Sequence, residues 1–559
     1  MRYNLTLLVA LLFVTVCGLQ AQNSRFVDPI YGVSEPTVDT FGQNIDFLFL
    51  VEVQAGLRTS PVRQLEMDVY QPEGDEDLGL RPVVVTFPTG NFLRRYQNRG
   101  LYGTRKDSAV VQIVNEVTSR GYVGIAADYR LGWNAPSPDV NVRTKTILEA
   151  AYRGGQDAHM MARYLRKSVV EDGNPYRIDT SRIVFWGLGT GGYVTLTHAY
   201  LDDIQEVLDD PRFYDEMDVP FVDVNVNADP QGLLPAQFAP SVPSNIPNHV
   251  GYSSDVAMSI NGNGALGDID WIDGADNEPI MLGFHNPNDI FAPFSFGDVV
   301  VPVTNELVIG CVGGTEQIIE KSNEAGNQDA IASANAVDLP DFYGPLAEAV
   351  NRKNEVYKMG VITPPADRLP ACTDQVVETS YELSHDNMYP FVGQGAGTPY
   401  NWVDPVIARA EIDAAIAAGV MIPGGADAVL GGEQATNPNA FNGAGAKLVI
   451  DTMIAFFLPR AYVGLDLETV VSTEDLLSNA AIGLEVFPNP AGAGFTVRTE
   501  EGHLIRSIRI MDMNGRVVSD ITGVNSNNRF VSRGNLPRGT YILQLHLDEG
   551  TSARKLVLK

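Results

Sequence analysis

A six-residue run, Gly187-Leu188-Gly189-Thr190-Gly191-Gly192, follows the apolar segment Ile183-Val184-Phe185-Trp186. The order reads as strand, sharp turn, helix. In that setting a G-x-S-x-G pattern lifts a serine hydroxyl off the end of a strand for nucleophilic attack. Gly187 and Gly191 stand where the pattern needs glycine, and Gly189 stands where the serine would be. The turn is kept and the attacking atom is gone. Glycine reaches the strained angles of such a turn more easily than serine does. Thr190 replaces the missing hydroxyl only if the motif is recentred, which would put Leu188 where a close-packed glycine belongs. In the better register Thr190 lies one place beyond, where a backbone N–H serves a developing oxyanion.

Other chemistries are poorly served. Asp268, Asp270, Asp273 and Asp276 gather around Trp271, but their spacing matches no calcium loop and reads as a solvated turn. No paired Cys/His spacing points to zinc, so no metal is expected. No lysine follows the glycines, and there is no dinucleotide fingerprint, so no cofactor is expected either. The net charge of -30 argues against a nucleic-acid or anionic-membrane partner and favours simple solubility.

The chain has 559 residues, 44% of them hydrophobic and 19% charged, enough for a large core and a second domain. Arg2, the apolar run Leu5 to Val16 and Leu19-Gln20-Ala21 read as a secretory signal over residues 1–21. The run is short for a membrane span. Beyond it, Cys311 and Cys372 remain, and in an oxidising compartment they form one disulfide or stay as two buried thiols.

The elements that must position the glycine turn alternate strand and helix. Leu65 to Tyr70 alternates as a half-buried strand, and Pro82 to Phe87 and Tyr122 to Ala127 are continuous apolar runs of buried parallel strands. Residues 143–167 repeat small and apolar positions at helical spacing, with Ala151, Ala158, Ala162 and Leu165 on one side. Val256 to Ile260 and Pro279 to Phe284 read as the next strands, and Lys447 to Phe457 as the last sheet-packing helix, closed by Pro459. This is an α/β doubly wound, mainly parallel sheet. Residues about 200–254 and 292–380 break the alternation and read as cap insertions over the site. From residue 483 short strands take over, with Asn514-Gly515 as a hairpin turn, giving a small all-β sandwich.

Two resemblances follow. Phe487-Pro488-Asn489-Pro490, Asp512 to Val518, Leu536 to Tyr541 and the terminal Lys555 to Lys559 resemble the type A sorting domain of the type IX secretion system of Bacteroidota. The resemblance implies a partner in that secretion machinery and a secreted or outer-surface location reached through the periplasm. Leu65 to Pro72, Asp128-Tyr129-Arg130-Leu131-Gly132 and Asp157-Ala158 resemble the carboxylesterase and lipase-like branch of the α/β-hydrolase superfamily. Pro88-Thr89-Gly90-Asn91-Phe92 matches that branch's oxyanion loop only at Gly90 and Phe92. The resemblance then implies Gly90, Asn91 and Thr190 as oxyanion donors. It places Asp289, in Gly283-Phe284-His285-Asn286-Pro287-Asn288-Asp289, at the triad acid, and gives His285 a supporting role in the loop. It places His385, which follows Asp289 in chain order, at the triad histidine. Read alone, Asp289 equally suits a loop cap, and His385 a loop or a cleft wall.

The organisation expected is a signal at 1–21, a hydrolase-like domain at 22–465, a linker at 466–482 and a sorting domain at 483–559. The function expected is a secreted member that is weak or non-catalytic for want of the serine. The alternatives are an active ester hydrolase with an unconventional nucleophile, acting on a small-molecule or polymer ester, and a ligand-binding or structural surface protein. If only the serine is missing, Gly189→Ser should gain ester hydrolysis.

Overall fold

The computed structural model describes residues 25–75, 79–240, 242–300, 307–362, 381–382, 386–469, 482–500, 502–512, 517–547 and 550–559. Its centre is an eight-stranded sheet. In chain order the strands are β1 (Thr37–Ile45), β2 (Val62–Tyr70), β3 (Arg81–Phe87), β4 (Val123–Ala127), β5 (Ile178–Leu188), β6 (Met258–Gly262), β7 (Ile280–His285) and β8 (Met388–Pro390). Across the sheet they run β8-β7-β6-β5-β3-β4-β2-β1. β2 is antiparallel to both of its neighbours, and the pairs from β4 through β8 are parallel. This is an α/β-hydrolase sheet, with the strand that carries the glycine turn at its middle.

The continuous apolar runs have the expected cause. All seven residues of β3 and all five of β4 are buried, because helices cover both faces. One face packs on α1 (Ser108–Thr118) and on α4 (Gly443–Gly464), through Ile113, Val117, Trp186, Ile454 and Phe457. The other packs on α2 (Val140–Glu171), through Val83, Val85, Phe185, Ala158 and Leu165. Arg130 and Asp157 are fully buried and fasten α2 to the end of β4. Asp157 accepts from the Arg130 Nε at 2.8 Å and from its backbone N–H at 2.6 Å.

Two sequence expectations change. The helix expected at 143–167 runs from Val140, capped by Asp139, to Glu171. Pro459 does not close the last helix; it lies inside α4, which continues to Gly464. Proline deletes one helical hydrogen bond, at about 3 kcal/mol. Ala455, Phe456, Phe457, Leu458 and Ala461 are all buried around it, and that burial outweighs the loss.

The small β-domain has two sheets. One pairs Glu485–Phe487, Gly494–Arg498 and Asn528–Ser532; the other pairs Val517–Ile521, Ile505–Met511, Gly539–Leu547 and Gly550–Leu558. Phe495, Val497, Ile508, Leu543 and Leu556 fill the space between them. The Ile505–Met511 and Val517–Ile521 strands pair antiparallel, while Asn514 and Gly515 lie outside the described residues. Asn489 ties the Pro-Asn-Pro turn to the last strand, donating to Lys555 O at 2.8 Å and accepting from Val557 N–H at 2.9 Å.

Candidate functional site

The turn after β5 forms as its glycines require. Gly189 sits at φ 54°, ψ -116°, and caps α3 (Thr190–Tyr200). Its N–H donates to Gly262 O at 2.7 Å, and its carbonyl accepts from Gly192 N–H at 2.8 Å. A Cβ on Gly187 would run into the backbone of Gly191, and one on Gly191 into the backbone of Phe87 and Pro88. The helix therefore sits directly on the strand ends, and only glycine fits at both places.

Above the turn is a cavity of about 200 Å³. Gly90, Asn91, Gly189, Thr190 and Asp289 all line it, so the topology brings these five sequence candidates together. Thr190 places its hydroxyl 3.0 Å from the Tyr129 hydroxyl, which also donates to Pro88 O at 2.9 Å. Gly90 (φ 137°) and Asn91 (φ 54°) form a left-handed bend. Trp133 Nε1 donates to Asn91 O at 2.8 Å and fixes that bend against the strand end of β4.

Asp289 is buried beyond β7. One carboxylate oxygen accepts from Asn263 Nδ2 at 2.5 Å; the other accepts from the N–H groups of Phe291 at 2.6 Å and Ala292 at 3.1 Å. Asp289 therefore caps its own loop and also lines the cavity. His285 is wholly buried between Thr315 Oγ1 at 2.6 Å and Ala292 O at 3.3 Å. Burial pushes its imidazole down to about 3, so it is a neutral support of the loop. His385 lies outside the described residues. Cys311, on the strand Leu307–Gly313, is disulfide-bonded. Cys372 lies outside the described residues.

Both of the stretches that break the strand–helix alternation contribute residues to the cavity wall. Leu201, Val207, Phe213 and Val222 come from the first; Val299, Val308, Ile309 and Val312 come from the antiparallel pair Phe296–Val300 and Leu307–Gly313 in the second. Phe213 stacks on Trp271 at 5.8 Å between ring centres. Asp268, from the acidic cluster, caps the short turn carrying Trp271 and pairs with Arg212. Among the described residues no group of three or more His, Cys, Asp or Glu is placed to hold a metal.

Several site residues escaped sequence reasoning. Tyr129 was legible only as a matched position, not as the phenol that ties Pro88 to Thr190. Asn263, at φ 64°, was signalled by the Asn-Gly-Asn-Gly run that ends β6. Tyr193 lines the cavity, and its buried hydroxyl has no hydrogen-bond partner among the described residues. Burial and the Asp289 charge push that phenol's pKa up, so it stays a neutral donor.

Thr89 is the largest surprise. A Cβ on Gly189 would fall inside van der Waals contact of Thr89 Oγ1 and 2.8 Å from Thr89 Cβ. The side chain from the neighbouring loop fills the place that the serine side chain would take.

Residues 485–559 match the secretion system C-terminal sorting domain. Comparison with curated proteins gives no match. Among solved structures the chain is similar to esterase 2 of Thermogutta terrifontis phosphorylated by paraoxon, at 16% identity and TM-score 0.26, over 52% of this chain and 79% of that one. The propionate-bound form gives 16% and 0.26 over 52% and 80%; the native form gives 17% and 0.27 over 52% and 79%. At that level the likeness does not decide the fold, which rests on strand order and the geometry of the turn. The chain joins an α/β-hydrolase sheet, its central turn lacking a side chain, to a C-terminal sorting domain that marks it for export to the medium or the cell surface.

Proposed function

We propose that this is an exported ligand-binding member of the α/β-hydrolase fold, non-catalytic or strongly impaired in hydrolysis. The observation that carries the reading is Gly189: it keeps the angles of a nucleophile turn, with no side chain, at the floor of a cavity. Loss of such a nucleophile removes covalent catalysis and lowers turnover by several orders of magnitude. The walls are apolar, from Leu148, Leu201, Phe213, Leu266, Val308 and Ile309. Polar groups among the lining residues include the hydroxyls of Thr89, Thr190 and Tyr193 and the amide of Asn263. Asp289 and Glu433 also line the space, which disfavours a carboxylate head. The ligand is an amphiphile with an apolar body and a neutral oxygen-bearing head. The sorting domain implies the type IX machinery as partner, and residues 1–21 the signal for the inner membrane.

The second reading, an active ester hydrolase, is favoured by Asp289, held by three donors at the end of β7 as a triad acid would be. It assigns the histidine to His385. The test is hydrolysis of short- and long-chain p-nitrophenyl esters by the full chain, with Asp289→Asn and His385→Ala alongside. Titration with a long-chain alcohol, read from Trp133 and Trp271, completes it, because both indoles line the cavity. Saturable fluorescence change without turnover above the variants is the expected result. Turnover that falls in both variants would establish the second reading instead.

A further inference from the structure

The loss of the serine and the departure at Thr89 are one change rather than two. A side chain on residue 189 would have to leave along the Cβ direction set by φ 54°, ψ -116°. Along that direction it meets not only Thr89 Oγ1 but Thr89 Cβ, at 2.8 Å. Rotation about χ1 can swing the hydroxyl away. It cannot move the Cβ, which the backbone fixes.

That backbone is held on two sides. Pro88 O accepts from the Tyr129 hydroxyl at 2.9 Å, and Tyr129 is itself locked to Thr190 at 3.0 Å. A Cβ on Gly191 would stand 2.9 Å from Pro88 O, so the segment cannot slide toward α3. On the other side a Cβ on Gly90 would stand 2.7 Å from Gly103 Cα, so the following residue is close-packed as well. Thr89 is pinned between two tight contacts with its side chain over Gly189.

We propose that Thr89 has taken over the place of the nucleophile side chain, so that its hydroxyl is what a ligand meets at the cavity floor and residue 189 cannot regain a side chain while Thr89 is present. Gly189→Ser alone therefore does not restore a working turn, because more than the serine has changed. The steric half stands on geometry alone. The half that has Thr89 greet the ligand head rests on the ligand-binding reading.

The steric half is tested in the full chain with Gly189→Cys, treated with methyl methanethiosulfonate and followed by mass spectrometry on the peptide that carries position 189. Modification is expected to be roughly tenfold faster or more when Thr89→Gly is added, the ratio that about 1.4 kcal/mol of relieved crowding gives. Equal rates in the two backgrounds, fast or slow, overturn the proposal. Should the cysteine variant fail to fold, Gly189→Ala serves: it lowers the thermal midpoint in the Thr89 chain and lowers it less, or not at all, beside Thr89→Gly. Equal lowering overturns the coupling.

The ligand half is tested with Thr89→Val, which keeps the shape and removes the hydroxyl. Affinity for 1-octanol is expected to fall roughly fivefold, as loss of one hydrogen bond of about 1 kcal/mol implies, while affinity for octane is unchanged. Equal effects on both probes, or none, overturn this half. If neither probe binds the unaltered chain, the ligand-binding reading and this half fail together, and the thiol experiment still decides the steric half.

Discussion

Replacing Gly191 by alanine isolates the contact on which the whole site rests. Gly191 lies in the first turn of α3, where alanine favours the helix by up to about 1 kcal/mol over glycine. Its φ is not positive, so the substitution brings no backbone strain of its own. Against the gain stands the end of β3: the new Cβ would overlap Phe87 O and stand 2.8 Å from Phe87 C and 2.9 Å from Pro88 O. These are backbone atoms and cannot rotate away. Ordinary contact requires the helix and strand to part by about 1.1 Å, and overpacking of that kind costs about 1–3 kcal/mol or more. The expected net loss is about 2 kcal/mol, seen as a lower urea midpoint for the transition of the large domain. Gly431→Ala is the control, because a Cβ there meets nothing within 4 Å on the helix Gly425–Thr436. It should gain roughly 0.5–1 kcal/mol. The parting would also shift Pro88 and Thr89, so alcohol binding should weaken in the Gly191 variant and not in the control. A Gly191→Ala chain as stable as the Gly431→Ala chain would refute the claim that the helix sits directly on the strand end.

Asp157→Asn leaves the buried Arg130 without its counter-charge and should destabilise by about 3–5 kcal/mol, whereas Arg130→Met with Asp157→Leu should recover most of that in the same unfolding assay. His198 and His285 are buried, and burial pushes them down to about 4 and about 3. Unfolding returns them to their ordinary value near 6.5, so their contribution is complete above that pH and is lost as pH falls toward 4 and then 3. The unfolding free energy measured between these limits should fall as pH falls, by up to about 1.4 kcal/mol per unit for each histidine, and His198→Gln should flatten the slope. Asn489→Ala removes both ties between the Pro-Asn-Pro turn and the last strand, and should destabilise the sorting domain by about 1 kcal/mol and lower the exported fraction of the full chain.

The chain announced its elements through patterns that local physics enforces. Apolar runs such as Val83 to Phe87 must be buried on both faces, and Gly187 and Gly191 admit no Cβ where a helix starts on a strand end. The absence of a side chain at Gly189 was equally plain, because a missing atom needs no coordinates. The strands and motif pieces of the sorting domain were legible for the same reason: alternation and turn residues act over a few positions. Pro459 misleads because proline acts locally, while the packing of Phe456, Phe457 and Ala461 keeps α4 going. What tertiary structure alone decided is the content of the site. Thr89 lies 100 positions before Gly189 in the chain, and only the adjacency of β3 and β5 brings its side chain over that glycine. Asn263 and Asp289 meet because β6 and β7 end side by side. Sequence records which atoms a residue carries; which residue fills a vacated space depends on strand order, a property of no local stretch.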